Sequence, residues 1–187
     1  MDKLIYEFSK NDEFLQQYYK LRGQRYRDTW KLKDFSGKKE KYDNIGHILI
    51  ARIENKVIGG TRIVITNNNR HIKLPLEDDD FILTKLFPKY KLETKNYAEV
   101  GRFSIIPDMI GKDLIPSFIL HTFALLQISK CSYLFAIAPS KLARLYRKAC
   151  KEQGINITIK EGIIVPQKTE YKSITMKLLL SDLSWNE

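Results

Sequence analysis

Cysteine is nearly absent from this chain: Cys131 and Cys150 are the only two, and neither lies in a CxxC or Cys/His spacing. Two thiols cannot build a disulfide framework and offer no zinc site, so a reducing, cytoplasmic setting without a metal is expected. Long apolar runs are missing as well. No stretch approaches the roughly 18 residues of a membrane span, and the N-terminal MDKLIYEFSKNDEF carries charge throughout, unlike a signal peptide. There is no internal repeat and no linker rich in Pro, Gly or Ser, which makes a single domain over residues 1–187 the expectation. Acidic residues are scarce: 22 Asp plus Glu against 32 Lys plus Arg give a net charge of +10. The hydrophobic share of 43% and charged share of 29% exclude a disordered or collagenous chain. The excess of cations asks for an anionic partner: nucleic acid, lipid surface, phosphorylated cofactor or acidic protein.

Hydrophobic patterning gives an ordered series of elements. Phe14 to Trp30 has helical composition, with Phe14, Leu15, Tyr18, Tyr19 and Leu21 able to line one face. Residues 31–44 are polar, basic and broken by Ser36-Gly37, and read as a surface loop. HILIARIENKVIGGTRIVIT then forms two β-rich runs turning at Glu54-Asn55-Lys56, and Gly59-Gly60 marks a bulge or a close approach to the backbone. FILTKLFPKY supplies one helical turn before Pro88, and AEVGRFSIIP a strand. Leu114 to Ile128 is apolar nearly all round, which predicts a buried helix. YLFAIA at 133–138 predicts a strand buried on both faces and ended by Pro139. Lys141 to Lys151 forms a helix with Lys141, Arg144, Arg147, Lys148 and Lys151 on one arc and Leu142, Leu145, Tyr146, Ala149 and Cys150 on the other, stopped by Gly154. INITIKEGIIV and SITMKLLL, separated by PQKTEYK, close the sheet as antiparallel strands. The order predicts an α/β fold: one mixed, mostly antiparallel sheet with helices on both faces. That order also suits the GNAT-like N-acyltransferases, in which the loop before the central helix receives a cofactor pyrophosphate.

Five groups of residues ask for more than packing. Arg22, Tyr26 and Trp30 are spaced four apart along one side of the first helix; spacing alone also describes a half-exposed edge. Glu40 and Asp43 precede the first hairpin strand and suit a cationic or hydroxyl-rich ligand if they face inward, or are ordinary solvated charges in a lysine-rich loop. Arg62, Glu99 and Arg102 lie within Ile- and Val-rich strands, where an unpaired charge is costly to bury, so they are expected to find one another or a ligand. The arc from Lys141 to Lys151 holds five cations with no acid before Glu152, either a solvated face or an anion-docking surface.

Taken in order, these pieces resemble the acyl-homoserine lactone synthases, the autoinducer-synthesis family. LRGQRY at 21–26 is similar to the family's Leu-Arg, three residues, Phe; Trp30 falls where the family has Trp; EKYDN at 40–44 resembles its acidic pair, with Glu40 in place of Asp. GGTRIVIT supplies the arginine strand with Arg62, LTKLFP resembles the Val-Phe-Pro segment, and AEVGRFSI the Glu, two residues, Arg-Phe signature with Glu99, Arg102 and Phe103. The resemblance is distinctive from Leu21 to Phe103 and weaker to about Met176.

The resemblance implies transfer of a fatty acyl group from acyl carrier protein to the amine of S-adenosylmethionine, with lactone closure expelling methylthioadenosine and no further cofactor. It places Glu99, Arg102 and Asp43 at the chemistry, with Glu99 the base, directly or through a water. Glu40 and Asp43 would face the sulfonium and Trp30 would offer its ring to it. Arg22 and Arg102 would grip the substrate carboxylate or order the loop, Arg62 would hold an acidic partner, and Tyr26 and Phe103 would line the substrate site. The thioester oxyanion would meet backbone N–H groups between Arg102 and Ile105. An unsubstituted acyl chain is expected against Phe103, Phe123, Leu125, Ala136, Ile137 and Ala138. The cationic arc Lys141, Arg144, Arg147, Lys148 and Lys151 is assigned to docking the acidic carrier protein. The loop IPDMIGKDLI at 106–115 lacks the glycine-rich arginine motif of coenzyme A users and favours the carrier protein as donor. Two alternatives remain open: a carrier-protein-dependent N-acyl amino acid synthase, and a basic nucleic-acid-binding module, which the dispersed basic residues and the lack of any nucleic-acid motif disfavour.

Overall fold

The structure, a computed structural model, describes residues 3–67, 72–109, 114–166 and 174–183. In chain order the elements are β1 (Leu4–Phe8), α1 (Asp12–Trp30), β2 (His47–Ile53), β3 (Lys56–Ile65), α2 (Leu83–Leu86), β4 (Asn96–Ile105), α3 (Leu114–Ile128), β5 (Cys131–Pro139), α4 (Ser140–Glu152), β6 (Thr158–Lys160) and β7 (Met176–Asp182). Short 3₁₀ turns at Lys41–Asp43, Pro75–Asp80, Pro88–Tyr90, Leu92–Thr94 and Pro107–Met109 join them. The strands form one sheet in the order β1-β2-β3-β4-β5-β7-β6. β4 and β5 pair in parallel, while β1 with β2, β2 with β3, β5 with β7 and β6 with β7 pair antiparallel. This is the mixed, mostly antiparallel α/β sheet expected from the sequence. The chain divides into two compact units, residues 1–63 with 101–122 and residues 64–100 with 123–187.

In the first unit α1 starts at Asn11, whose side-chain oxygen accepts the Glu13 and Phe14 amides at 2.9 and 3.3 Å, with Asp12 and Glu13 favouring the positive helix end. Tyr18 and Tyr19 on its inner face pack with Ile48, Ile50 and Val57 of the hairpin. Gln17 fixes the register, donating to the Asn55 carbonyl and accepting from the Val57 amide, both at 2.9 Å. Consecutive strand residues face opposite ways, and the glycine pair uses both. A Cβ on Gly60 would stand 2.5 Å from the ring of Tyr18 in α1, and one on Gly59 would stand 3.2 Å from Phe118 in α3. Gly59 and Gly60 therefore let two helices approach the same strand from its two faces, next to a bulge at Ala51/Arg52.

In the second unit β5 is central, with Leu134, Phe135, Ala136 and Ala138 buried. The parallel ladder of β4 on β5 runs from Asn96↔Cys131 to Glu99↔Phe135 and ends there, although each strand continues. α4 packs through Ala143, Ala149 and Cys150, and Gly154 ends it with φ +73°.

Three expectations need correction. The sequence reading opened the fold with a helix, but β1 precedes it, its charged flanks having hidden a five-residue edge strand held by the Glu7–Arg52 ion pair at 3.1 Å. α3 is not buried all round: Leu114, Phe118, Phe123 and Leu126 are covered, while Leu120 and Ile128 are 50% and 81% exposed. A helix lying on a sheet covers one stripe, whatever its composition. On α4 Leu145, placed on the apolar arc, is exposed. From Gln167 onward the expected turn PQKTEYK lies outside the described residues, as do residues 110–113 of the loop 106–115.

Candidate functional site

The first unit gathers Arg22, Glu40, Asp43, Arg62 and Arg102 among the charged residues that the sequence singled out. Gly37, with φ +71°, lies so close to α1 that a Cβ there would stand 2.4 Å from Gly23. This glycine-on-glycine contact presses the segment 35–40 onto the helix and brings its carbonyls to Arg22. Arg22 is wholly buried. Its guanidinium donates to Asp43 through two parallel bonds of 3.1 and 2.9 Å and to the carbonyls of Gly37 and Lys38 at 3.1 and 2.6 Å.

From Asp43 the network continues outward. Arg62 donates to Asp43 at 3.1 Å and to Glu40 at 2.7 Å. Glu40 then takes Arg102 on both oxygens, Nε and Nη2 each at 2.9 Å. The result is an alternating chain Arg22, Asp43, Arg62, Glu40, Arg102, whose arginines grow more exposed along it: their side chains are 0%, 4% and 11% exposed. Aromatic rings support each cation. Arg22 sits 4.8 Å from the centre of Tyr19, Arg62 5.6 Å from Tyr42, and Arg102 5.2 Å from Phe35 and 5.7 Å from Tyr26. Tyr26 itself stacks between Phe35 at 4.5 Å and Trp30 at 5.5 Å.

Electrostatics follow from this chain. Burial alone would raise the carboxyl groups, but the guanidiniums of Arg102, Arg22 and Arg62 hold Glu40 below its ordinary value. The hydrogen bonds and charge of Arg22, the Glu40 amide and the charge of Arg62 do the same for Asp43 against its burial. Both acids are ionised, and each is bonded to two of the three guanidiniums, Asp43 to Arg22 and Arg62 and Glu40 to Arg62 and Arg102.

Several expected roles change in this light. Glu40 and Asp43 are not solvated loop charges, and Arg22 is not a half-exposed helix edge. Asp43, expected at the chemistry, accepts two bonds on each oxygen, from Arg22 and Arg62 on one and from Arg22 and the Glu40 amide on the other. A carboxylate has about four acceptor positions, so Asp43 positions the network. Arg22, equally enclosed, orders the loop. Arg62 and Arg102, expected with Glu99 to find one another or a ligand, meet on Glu40.

Glu99 belongs to the second unit. It is buried in β4 and accepts the Leu76 amide at 2.6 Å. Beside it Glu77, in the turn Pro75–Asp80, accepts the amides of Leu74 and Leu83 and the Tyr97 hydroxyl at 3.1, 3.4 and 3.2 Å. Burial, then Glu77, pushes the Tyr97 phenol up. Glu77 was missed because it heads the acid run EDDD, yet its position three residues after Leu74 is the capping-box spacing. Phe35 and Tyr42 were missed too; aromatic residues inside a lysine-rich loop were the available signal.

The expected acyl pocket is divided by geometry. Strand alternation puts Ala136 and Ala138 on one face of β5 and Ile137 on the other, and Phe123 and Leu125 are two residues apart on α3 and face different ways. Phe103 meets Phe118 edge-on at 5.2 Å in the first unit. All five cations of α4 are exposed. Arg144, Arg147, Lys148 and Lys151 line a groove of about 680 Å³ with Ile155 and Ile157, and Lys148 reaches Glu152 at 3.8 Å. Among the described residues no group of His, Cys, Asp and Glu side chains could hold a metal ion, and no helix is long and apolar enough to cross a membrane.

No family model and no curated protein matches the sequence. Solved structures match its fold over 97% of the chain. FeeM, an N-acyl amino acid synthase from uncultured soil microbes, matches with a TM-score of 0.65 at 10% identity over 90% of its own length. BjaI, a coenzyme A-dependent acyl-homoserine lactone synthase solved with SAM and isopentyl-CoA, matches with a TM-score of 0.65 at 16% identity over 82% of its length. An acetyltransferase of the GNAT family from Staphylococcus aureus Mu50 matches with a TM-score of 0.59 at 6% identity over 99% of its length. At these identities the likeness establishes the fold, that of the GNAT-like acyltransferases.

Proposed function

We propose that the chain is an N-acyltransferase that moves an acyl group from a carrier thioester to the α-amine of an amino-acid-like acceptor. In the leading reading the acceptor is S-adenosylmethionine, and lactone closure then yields an acyl-homoserine lactone and methylthioadenosine. The observation that carries the proposal is the buried chain of arginines and carboxylates that runs outward to Arg102, in a fold shared with an N-acyl amino acid synthase and an acyl-homoserine lactone synthase. Arg102 ends that network and is the most exposed of its arginines, so it is the group that takes the acceptor carboxylate. Glu99, three residues earlier on the same strand, is the proposed base. It removes a proton from the acceptor ammonium, directly or through a water, so that nitrogen can bond to the thioester carbonyl carbon as the carbon–sulfur bond breaks and the thiol departs. Trp30, partly exposed and stacked on Tyr26, is the ring proposed for the sulfonium.

The state of the carboxylates favours a second reading. Glu40 and Asp43 are already neutralised by arginines, so they exert little pull on a sulfonium, whereas a plain amino acid brings only the carboxylate and amine that Arg102 and Glu99 would serve. N-acyl amino acid synthesis, the activity named for FeeM, is therefore the alternative. The donor is assigned to acyl carrier protein, docked on Lys141, Arg144, Arg147, Lys148 and Lys151, and the acyl chain to an unsubstituted type, since Ala136 and Ala138 offer no hydroxyl.

Mass spectrometry of products formed from acyl carrier protein or coenzyme A thioesters, with S-adenosylmethionine or single amino acids, tests these readings. Acyl-homoserine lactone with matching methylthioadenosine supports the first. Acyl amino acid with no response to S-adenosylmethionine supports the second.

A further inference from the structure

Tyr18 lies outside every motif named above, yet it reaches the network from the core of the first unit. Its side chain is fully buried, and its hydroxyl donates to the Arg102 carbonyl at 2.7 Å. Arg102 has φ +59°, a left-handed conformation that a residue with a side chain adopts only when its surroundings impose it. The Tyr18 bond is shorter than that from the Ser104 hydroxyl to the same carbonyl, which stands at 3.4 Å. From the same backbone position the Arg102 side chain reaches Glu40 through Nε and Nη2 and rests on Phe35 and Tyr26. Gly60 makes the arrangement possible, since a Cβ there would stand 2.5 Å from the Tyr18 ring and push the phenol away.

We propose that Tyr18 is a positioning residue for the acceptor site: its hydroxyl holds Arg102 in the left-handed conformation that aims the guanidinium at Glu40 and at an incoming carboxylate. This rests on the reading of Arg102 as the carboxylate grip. Without the bond, the strand relaxes toward ordinary β geometry, which turns the Arg102 side chain away from its partners.

Tyr18→Phe removes one oxygen and keeps the ring. Two measurements on it separate this proposal from the activity reading. The first needs no substrate: the Nε–H signal of Arg102 in ¹⁵N spectra, compared with that of Arg52, whose Nε donates to Glu7 at 3.2 Å elsewhere in the unit. The proposal expects the Arg102 signal to shift or broaden while that of Arg52 stays, the latter reporting that the variant is folded. An Arg102 signal unmoved by the substitution overturns the proposal whatever the activity. The second is kinetic: KM for the acceptor rises about tenfold with KM for the thioester within about twofold, and in an Arg102→Lys background Tyr18→Phe adds less than about twofold. Equal multiplication in both backgrounds overturns it, because Tyr18 would then act by another route. If the wild-type protein acylates no carboxylate-bearing amine, the proposed function falls and the spectra alone decide the role of Tyr18.

Discussion

Asp43 shows most clearly how single residues build the site. It is enclosed, saturated and shared by two arginines, so removing it leaves the Arg22 guanidinium buried with no counter-charge. Breaking a buried ion pair from one side costs about 3–5 kcal/mol, and Asp43→Ala is expected to lower urea stability by that amount. Glu40→Gln, at the solvent edge, is expected to lower it by less. The same carboxylates set a pH dependence. Glu40 and Asp43 have folded values below their ordinary 4.5 and 3.8, so in acid the unfolded chain takes up protons first. Their stabilisation is complete above the ordinary values and is lost as pH falls through them toward the folded ones. Urea midpoints are therefore expected to hold steady from neutrality down to about pH 5 and to fall below it, with a shallower fall in Asp43→Asn; an equally steep fall in that variant would remove Asp43 from the explanation.

Arg62 and Arg102 were legible because a charge in an Ile- and Val-rich strand must be compensated, and Arg22, Glu40 and Asp43 through their spacing and the family resemblance. Which acid compensates which arginine was not legible. That depends on the loop holding Glu40 and Asp43 being pressed onto α1, and nothing in a local pattern reports a contact between Gly23 and Gly37.

At the scale of elements the glycines decide the geometry. Gly37→Ala meets a double obstacle, a left-handed φ and backbone atoms 2.4 Å from the new carbon. It is expected to displace the segment 35–40 and raise acceptor KM more than it lowers kcat, an outcome read from steady-state kinetics; unchanged KM would show that the loop does not form the acceptor wall. Gly60→Ala forces the Tyr18 ring to move and is expected to destabilise by about 1–3 kcal/mol, the usual range for overpacking, checked by thermal unfolding.

Apolar patterning identified α1, the hairpin, β4 and α4, and an unbroken apolar run identified β5. It missed β1, where Leu4, Ile5, Tyr6, Glu7 and Phe8 give no clean alternation, and it overstated the burial of α3. Composition reports what could be covered, and the width of the neighbouring sheet sets what is covered. The 3₁₀ turn carrying Glu77 was hidden for a similar reason, a buried acid being indistinguishable in sequence from an exposed one such as Asp80.

For the molecule as a whole, five of the cations behind the net charge of +10 stand exposed on α4, and four of these line a groove. Charge complementarity of this kind acts on encounter and is screened by salt. Reversing Arg144, Arg147 and Lys148 to Glu is expected to raise KM for an acyl carrier protein thioester by at least about tenfold at low ionic strength. KM for the acceptor should stay unchanged, and the effect should shrink with added salt. Saturation curves that superimpose on the wild type would detach the basic helix from donor docking.

The central claim is acyl transfer to an amine held through its carboxylate by Arg102. The measurement that tests it most directly is thiol release from an acyl thioester by the purified protein, followed with and without a carboxylate-bearing amine and repeated with the decarboxylated amine. Release that requires the acceptor and is largely lost with the decarboxylated analogue is the predicted result. Release independent of any amine, or equally fast with the analogue, would contradict the account.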